Sequence, residues 1–248
     1  MTNAIAISNL RFYYPGHSVS VFENLNLNIK TGSRFGIFGP NGAGKTTLIA
    51  CITGILKYSH GSIKINGIEV SENPHEIKKH FGYVPQDFSF YPELSPMENL
   101  MFFGAWAGLS KSTTQKRAAE ILEVLGLSEV KDKPVRKFSG GMKRRVNLAI
   151  GVIQQPAILF LDEPTVGVDI HSRQALISYL KMLNTNGTTL MYTSHQLSEA
   201  EELCDEVALF DEGKIKVQGL LSPLLQQHQQ NGLEGLFMEL TGKKYRDS

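Results

Sequence analysis

Residues 39–47, with the sequence "GPNGAGKTT", place closely spaced glycines directly before a lysine and two threonines. This phosphate loop fits the pattern GxxxxGK[ST] in full, in which successive backbone N–H groups point at phosphate oxygens. Lys45 can reach the β- and γ-phosphates, and the Thr46 hydroxyl can coordinate Mg²⁺. The loop is therefore predicted to bind a nucleoside triphosphate. Its predicted contacts are Gly39, Pro40, Asn41, Gly42, Ala43, Gly44, Lys45, Thr46 and Thr47.

Two adjacent carboxylates, Asp162 and Glu163, follow the apolar run "ILFL". Four consecutive apolar residues are typical of a parallel strand that is covered on both faces. An acid at the carboxyl end of such a strand lies where open α/β sheets bind their ligands. We predict that Asp162 holds the metal ion and that Glu163, as a general base, polarises the attacking water.

Two more polar residues end predicted strands. His195 closes the apolar run "LMYTSH", and Gln86 comes just after "GYVP". We expect His195 to arrive at the same edge of the sheet and to contact the γ-phosphate. Gln86 is expected to be a ligand of the metal or of the water, at the joint where a helical region begins.

A second glycine turn lies far downstream, in "FSGGMKRR". Its Ser-Gly-Gly turn (residues 138–142) runs straight into a helix-like stretch. Ser139, the amides of Gly140 and Gly141 and the helix N-terminus form a half-site for an anion. The basic run 143–145 that follows fits a solvated helix face at least as well as an anion contact. The chain therefore has two phosphate cradles, of which only the first includes a lysine and a metal ligand.

The surrounding elements are predicted from periodicity. "AIAISNLRFYY" and "VFENLNLNI" alternate as half-buried strands do, and "RFGIFG" followed by "KTTLIACITGIL" predicts a strand, the phosphate loop and a helix. Three helix-like stretches lie between residues 87 and 156, and strands resume in "AILFLDEP", "TTLMYTSH" and "EVALFDEG". Apolar residues of the tail share one helix face, which favours a helix packed on the core over a helix that binds a partner. They are Leu233, Leu236, Phe237 and Leu240.

Composition narrows the class of protein. The chain has 248 residues and a net charge of +1, which argues against a broad electrostatic grip on nucleic acid. Its two cysteines lack metal-type spacing and are expected to be reduced, buried thiols. Neither a signal peptide nor a run of about 20 apolar residues is evident. We therefore expect a soluble chain, whose role at a membrane would come through a partner.

Taken together, these motifs resemble the nucleotide-binding subunit of an ABC transporter, over nearly the whole chain. "FSGGM" is similar to the signature motif of that family, which most often reads Leu-Ser-Gly-Gly-Gln. The resemblance implies an α/β fold: a P-loop NTPase core of the ABC ATPase type, with an N-terminal antiparallel β subdomain and a helical insertion. It implies a single domain, 1–248, with the core in 1–86 and 157–219, a helical subdomain in 87–156 and a helical tail in 220–248.

In this family two nucleotide domains pack head to tail, and the Ser-Gly-Gly of one closes over the γ-phosphate held by the other. The resemblance thus explains why one chain carries two cradles. It also assigns roles to single residues. Tyr14 resembles the aromatic that stacks on adenine, with Phe12 and Tyr13 as alternatives. The other implied roles are a metal-associated Asp162, a catalytic base Glu163, a switch histidine His195, a link from metal to membrane partner at Gln86, and a subunit-reporting loop at Asp169.

Met142 departs from the family pattern, because it stands where glutamine is usual. A side-chain hydrogen bond from this position to the ribose of the facing nucleotide is therefore lost. Phe138, in place of the usual leucine, should preserve packing.

The resemblance implies ATP and Mg²⁺ as substrate and cofactor, a second ABC ATPase subunit as partner, most simply in a homodimer, and an integral membrane permease. "FSGGMKRR", "LDEPTVGVD" and the tail resemble the branch that exports drugs, antibiotics, polysaccharides or lipids. The chain would then work at the cytoplasmic face of the cell membrane, without nucleic acid. The alternative is an ABC-type ATPase that acts on ribosomes or DNA, although the long coiled-coil or zinc insertions of such proteins are missing from the sequence. A P-loop kinase is a more distant alternative.

Overall fold

The structure, a computed structural model, describes residues 2–194 and 196–242, apart from the side chain of His171. The chain forms two compact units. The first unit combines Met1–His80 with Thr189–Ser248, and the second unit is Phe81–Thr188.

Over the described residues 2–80, the first unit has five strands and two helices, of which α1 follows the phosphate loop. In chain order the elements are β1 (Asn3–Phe12), β2 (Phe22–Lys30), β3 (Arg34–Phe38), α1 (Lys45–Ile52), β4 (His60–Ile65), β5 (Ile68–Glu69) and α2 (Pro74–Ile77). Strand β1 pairs antiparallel with β2 and with β4, and β4 pairs antiparallel with β5. Along β2, buried and exposed residues alternate, because one face of the sheet packs on the core. The predicted N-terminal antiparallel sheet is confirmed.

The second unit is mainly helical. Its elements are β6 (Phe81–Val84), α3 (Pro96–Trp106), α4 (Lys111–Val124), α5 (Gly140–Val152), β7 (Ile158–Asp162) and α6 (Ile170–Thr185). Four of these helices begin at a side chain that accepts a hydrogen bond from the backbone N–H three residues later, as N-caps do. The caps are Ser95, Ser110, Ser139 and Asp169. Three helices were predicted between residues 87 and 156, and α3, α4 and α5 confirm them.

Strand β7 ends at the two predicted catalytic carboxylates. All five of its residues are buried, and it runs parallel to β6, with Phe81 opposite Ile158 and Val84 opposite Leu161. This confirms the prediction of a buried parallel strand from the apolar run "ILFL". The carboxyl end of β7 therefore delivers Asp162 and Glu163 at one end of the second unit.

The first unit continues with β8 (Thr189–Ser194), α7 (Leu197–Leu203), β9 (Glu206–Asp211), β10 (Lys214–Leu220), α8 (Leu221–Gln227) and α9 (Leu233–Thr241). Strand β3 lies between β8 and β9 and is parallel to both, whereas β10 is antiparallel to β9. A central strand with two parallel neighbours is the arrangement that places loops after β3 and β8 at the same end of the sheet.

The tail helix α9 packs on its own unit, as predicted. Leu233, Leu236 and Phe237 are buried, and Leu240 is half-buried. The carboxylate of Glu201 on α7 accepts a hydrogen bond of 2.6 Å from the backbone N–H of Leu233. This contact satisfies one of the unpaired N–H groups at the start of α9. Within the described ranges, no helix is both long and apolar enough to cross a membrane.

Candidate functional site

The phosphate loop connects β3 to α1 within the first unit. Gly42 and Gly44 have φ angles of +80° and +104°, a region that glycine enters without steric cost. A Cβ atom at Gly39 would collide with the backbone carbonyl of Phe210 on β9. The course of the loop therefore depends on its glycines, both for backbone conformation and for close packing.

The ammonium group of Lys45 lies inside this loop. The side chain is only 6% exposed, and its Nζ donates to the carbonyl oxygens of Gly39, at 2.7 Å, and of Pro40, at 3.1 Å. A buried charge must be satisfied by polar groups, and here the loop's own carbonyls do so. Helix α1 begins at Gly44, which has no side chain and so offers no side-chain cap. The positive end of α1 and the Lys45 charge are thus concentrated at the same loop.

The three candidate aromatics for adenine differ in exposure. Phe12 is 2% exposed, Tyr13 is half-buried and Tyr14 is 40% exposed. The Tyr14 hydroxyl is 2.8 Å from the Thr47 hydroxyl, so this ring is tied to the last residue of the phosphate loop. Its ring also meets Phe12 edge-to-face, with 5.0 Å between centroids.

Position 195 lies outside the described residues, but the backbone on both sides of it is described. The carboxylate of Glu199 on α7 is 1% exposed and accepts hydrogen bonds from the hydroxyls of Tyr192, at 2.6 Å, and Ser194, at 3.5 Å. The Gln196 N–H in turn donates to the Ser194 hydroxyl at 2.9 Å. The predicted role of His195 at the γ-phosphate stays a prediction.

In the second unit, Gln86 and Glu163 meet directly. The Gln86 amide Nε2 donates to the Glu163 carboxylate Oε2 at 3.1 Å. Glu163 is 7% exposed and has a φ of +50°, which is uncommon for a residue with a side chain. Such a conformation costs about 1–3 kcal/mol and persists where the surroundings impose it, often at functional sites.

Asp162 precedes this strained position and is 2% exposed at the end of β7. Its charge is felt by a neighbour on β6. Burial, together with the negative charges of Asp162 and Asp87, raises the pKa of Tyr83 to about 12. The carboxylates of Asp162 and Asp87 therefore lie near Tyr83 at this end of the β6–β7 pair, and carboxylate oxygens are ligands that Mg²⁺ prefers.

The Ser-Gly-Gly turn begins α5. The Ser139 hydroxyl accepts a hydrogen bond of 3.3 Å from the Met142 N–H. A Cβ atom at Gly141 would lie 2.7 Å from the Ser172 hydroxyl oxygen and 3.1 Å from Asp169 Oδ2. Asp169 Oδ1 accepts a hydrogen bond of 2.9 Å from the Ser172 N–H. The turn and Asp169 are therefore brought together, with α6 beginning against the glycines of α5.

Arg144 lies in the basic run, for which one interpretation was a solvated helix face. For this residue that interpretation is wrong, since its side chain is 8% exposed. Its Nε donates to the Val166 carbonyl at 3.2 Å, its NH1 donates to the Gln86 carbonyl, and its guanidinium carbon lies 4.7 Å from the Phe88 ring centroid. Burial lowers the pKa of the guanidinium, while the charges of Asp87 and Glu163 act in the opposite direction.

Asn147, one turn further along α5, is fully buried and holds the same segment. Its Nδ2 donates to the Pro85 carbonyl at 3.1 Å, and its Oδ1 accepts from the Ser89 N–H at 3.0 Å. We call residues 85–89 the glutamine loop. Neither Arg144 nor Asn147 was singled out from the sequence. Asn147, as the one polar residue of the apolar run "VNLAIGV", was a usable signal, whereas the basic run gave none for Arg144.

Comparison with known proteins gives a consistent assignment. The family model described as "ABC transporter" matches residues 22–166. The linearmycin resistance ATP-binding protein LnrL of Bacillus subtilis is 41% identical over 196 residues, which is 79% of this chain and 63% of that protein. The chain thus spans less than two thirds of the length of LnrL. The Nod factor export ATP-binding protein I of Ralstonia nicotianae is 36% identical over 218 residues, 88% of this chain and 67% of that protein.

Solved structures agree on the fold. A structure described as the ATP-binding subunit of an ABC transporter superposes with a TM-score of 0.87 at 28% identity, covering 97% of this chain and all of the other. A dimeric post-hydrolysis state of the ATP-binding cassette MJ0796, bound to ADP and Pi, gives a TM-score of 0.79 at 25% identity, covering 88% and 98%. With a family model over more than half of its length and relatives of this similarity, the chain belongs to the ABC transporter family, among its ATP-binding subunits.

Proposed function

We propose that this chain binds ATP with Mg²⁺ and hydrolyses it to ADP and phosphate. The observation that carries the proposal is the Lys45 ammonium, buried in the phosphate loop on two loop carbonyls. A triphosphate oxygen is a stronger partner for an ammonium than a neutral carbonyl, because a charge-assisted hydrogen bond is about twice as strong. Lys45 is thus already positioned in the loop to exchange these carbonyls for the β- and γ-phosphates.

The chemistry of three side chains fits Mg²⁺. Thr46, Asp162 and Gln86 would supply a hydroxyl, a carboxylate and an amide oxygen, which are the hard oxygen ligands that this ion prefers. Because Gln86 donates its Nε2 to Glu163, its amide oxygen remains for the ion or its water. Bound Mg²⁺ would neutralise charge on the β- and γ-phosphate oxygens.

Glu163 is the proposed general base. Its carboxylate would accept a proton from a water molecule while that oxygen bonds to the γ-phosphorus and the bond to the bridging oxygen of ADP breaks. The buried position of Glu163 and the amide of Gln86 fix the direction of the carboxylate. His195 is proposed to contact the γ-phosphate, and Tyr14, the most exposed of the three aromatics, to stack on adenine.

The Ser-Gly-Gly turn is proposed to act on the ATP of a second subunit. The Ser139 hydroxyl accepts one hydrogen bond from its own helix, and its hydrogen can still be donated to a phosphate oxygen. Gly140, Gly141 and Met142 would approach the same phosphate, with Asp169 reporting between subunits. The dimeric state of MJ0796 supports this pairing. A homodimer is the simplest form.

We further propose that ATP binding and hydrolysis close and reopen this dimer, and that the cycle drives export through a separate membrane permease. ATP favours the closed dimer, because each nucleotide contacts both subunits only there. The similarity to LnrL, a resistance protein, and to a Nod factor export protein supports export over import. The chain would then work at the cytoplasmic face of the cell membrane.

Phosphate release by the purified chain tests the catalytic part of the proposal. We expect Mg²⁺-dependent release with ATP, loss of release in EDTA, and loss of release in Glu163→Gln. The variant should still bind ATP and form a stable dimer on size exclusion, because the carboxylate acts only in the chemical step. A Glu163→Gln variant that hydrolysed ATP at the wild-type rate would contradict the assignment of the base.

Co-purification tests the transport part. The chain would be tagged in its native cells, membranes would be extracted in mild detergent, and associated proteins would be identified by mass spectrometry. A polytopic membrane protein in stoichiometric amount is the expected result. Ribosomes or nucleic acid without a membrane protein would instead support the alternative cellular role, and would leave the ATP chemistry intact.

A further inference from the structure

Four residues of the second unit form a closed ring of hydrogen bonds around the proposed base. The Gln86 side chain donates to the Glu163 carboxylate, and the Val166 N–H donates to the Glu163 carbonyl at 3.4 Å. Arg144 then donates to the carbonyls of both Gln86 and Val166. One guanidinium therefore joins two residues that hydrogen-bond to Glu163.

Arg144 is the member of this ring that belongs to α5, the helix that starts at the Ser-Gly-Gly turn. Arg144 lies in the second turn of α5, close to the Ser139 cap. Its Nε and NH1 point in fixed directions on a planar group, so that two carbonyls on separate segments can be held at once. A lysine in this place would offer one nitrogen and could not reproduce both directions.

The contacts go beyond what is needed to bury the arginine. The two carbonyls that it joins lie far from it on opposite sides in the chain, 58 residues before Arg144 at Gln86 and 22 residues after it at Val166. The Phe88 ring lies against the guanidinium and shields it from water, which strengthens its hydrogen bonds. Asn147 fixes the glutamine loop independently, at Pro85 and Ser89. Of Arg144 and Asn147, Arg144 is the one that also donates to Val166, three residues after Glu163.

From this arrangement we infer that Arg144 is a positioning residue for the proposed base: it orients the Glu163 carboxylate through Gln86 and Val166. The inference rests on the proposed ATP hydrolysis. Arg144 touches neither nucleotide nor water in this account, and acts only through the two residues that it holds. Its loss should therefore slow the chemical step and leave the binding of ATP nearly unchanged.

The test is steady-state ATP hydrolysis by the full chain, in wild type and in Arg144→Gln, Arg144→Lys and Arg136→Gln. Misplacing a catalytic group by about 1 Å can cost on the order of 100-fold. We expect kcat to fall about 10- to 100-fold in Arg144→Gln and somewhat less in Arg144→Lys, with KM within about twofold of wild type. Arg136 is the matched control, because its side chain is 60% exposed and pairs with Glu93 at the surface.

A double-mutant cycle with Gln86→Ala separates positioning from general destabilisation. If Arg144 acts in part through the Gln86–Glu163 contact, the loss of kcat in the double variant should be smaller than the product of the two single losses. Multiplicative losses of kcat would overturn the inference, because two independent defects would then be present. Thermal unfolding of each variant, followed by circular dichroism, identifies any variant that is unfolded at the assay temperature. If Arg144→Gln is unfolded, Arg144→Lys is used in the cycle.

The outcomes distinguish this inference from the proposed function. Wild-type hydrolysis that disappears in Glu163→Gln establishes the function, and an unchanged kcat in folded Arg144→Gln then overturns the inference alone. A wild-type chain that releases no phosphate from ATP would overturn the proposed function, and the inference with it.

Discussion

The phosphate loop and the Ser-Gly-Gly turn both combine glycines with a helix start, but they use the glycines differently. In the phosphate loop, Gly42 and Gly44 have positive φ angles that a residue with a side chain rarely adopts. In the Ser-Gly-Gly turn, Gly140 and Gly141 are already the first residues of α5. There, Gly141 is needed for space, since a Cβ atom would meet Ser172 at 2.7 Å. One loop needs glycine for its backbone shape and the other for close packing.

The two regions also differ in charge and in capping. The phosphate loop contains the buried ammonium of Lys45, and its helix begins without a side-chain cap. The Ser-Gly-Gly turn is capped by its own Ser139. Because the cap satisfies one N–H of α5, residues 139–141 offer an anion a hydroxyl and a weak positive potential, but no charged side chain. The comparison supports the proposal that the first region binds ATP and that the second region acts on an ATP held by another subunit.

The largest effect should come from Lys45→Ala, which removes the buried charge. We expect ATP hydrolysis to fall on the order of 10²–10³-fold, as when one preorganised donor to a developing negative charge is lost. Nucleotide affinity should fall as well, which fluorescent ATP analogues can measure. Lys57→Ala is the control, because Lys57 follows the same helix but is exposed. If Lys45→Ala hydrolysed ATP within tenfold of the wild-type rate, the buried charge would not be what distinguishes the phosphate loop from the Ser-Gly-Gly turn.

Features that depend on residues close together in the chain, such as helix caps and buried strands, could be predicted from the sequence. A helix cap involves residues three apart, so Ser139 and Asp169 could be recognised by their position before helical stretches. Strand β7 could be predicted from four consecutive apolar residues. Strand β10 was missed, although Glu212 and Gly213, with φ angles of +50° and +72°, form a turn whose glycine is a hairpin signal.

Other features could not be predicted, because they depend on residues distant in the chain. The burial of Arg144 follows from carbonyls 58 and 22 residues away, at Gln86 and Val166. A basic run on a helix gives no local sign of such partners. Likewise, the conformation of Glu163, with its φ of +50°, is imposed by packing around β7 and not by its own propensity.

Two substitutions at Ser139 separate its cap from its proposed phosphate contact, and their effects should be the next largest. Aspartate caps a helix about as well as serine, whereas alanine costs about 1 kcal/mol of stability. Ser139→Asp should therefore keep the melting temperature but lower ATP hydrolysis about 100-fold or more, since like charges in contact cost several kcal/mol. Ser139→Ala should melt earlier and lose activity only about tenfold, the value of one hydrogen bond.

The measurements for this pair are thermal unfolding, phosphate release and ATP binding by the monomeric chain. ATP binding should be unchanged in both variants, because the Lys45 loop is intact. If Ser139→Asp hydrolysed ATP as fast as wild type, the Ser-Gly-Gly turn would be a helix start and nothing more.

Alanine at single glycines tests the two uses of glycine through stability. Gly42→Ala should cost about 1–2 kcal/mol from its positive φ alone, since no atom lies within 4 Å of the added Cβ. Gly141→Ala should cost about 1–3 kcal/mol by overcrowding at Ser172. Gly140→Ala is the control: its nearest neighbour, the Gly167 carbonyl oxygen, is 3.4 Å away.

Urea denaturation measures these differences. Gly140→Ala should be within about 0.5 kcal/mol of wild type or slightly more stable, because alanine favours a helix over glycine. Adding Ser172→Ala to Gly141→Ala should restore part of the lost stability, by removing the hydroxyl that the new methyl group meets. The same addition to Gly42→Ala should restore none, since that cost lies in the backbone. Recovery in both backgrounds would show that the two glycines act through the same kind of strain.

The smallest expected effect is a gain, from Met142→Gln. Met142 is half-buried, and its backbone N–H already serves the Ser139 cap, so a new side chain leaves that hydrogen bond in place. A glutamine there would add one polar contact to the ribose of a facing nucleotide, worth about 0.5–1.5 kcal/mol. In a Glu163→Gln background, which we expect to hold ATP without turnover, the ATP-dependent dimer should therefore form at roughly 2- to 10-fold lower protein concentration. Light scattering across a dilution series measures this midpoint, and Met238→Gln, on the exposed face of α9, is the matched control. An unchanged midpoint would mean that position 142 does not face the nucleotide, and the Ser-Gly-Gly turn would then act through Ser139 and the amides of α5 alone.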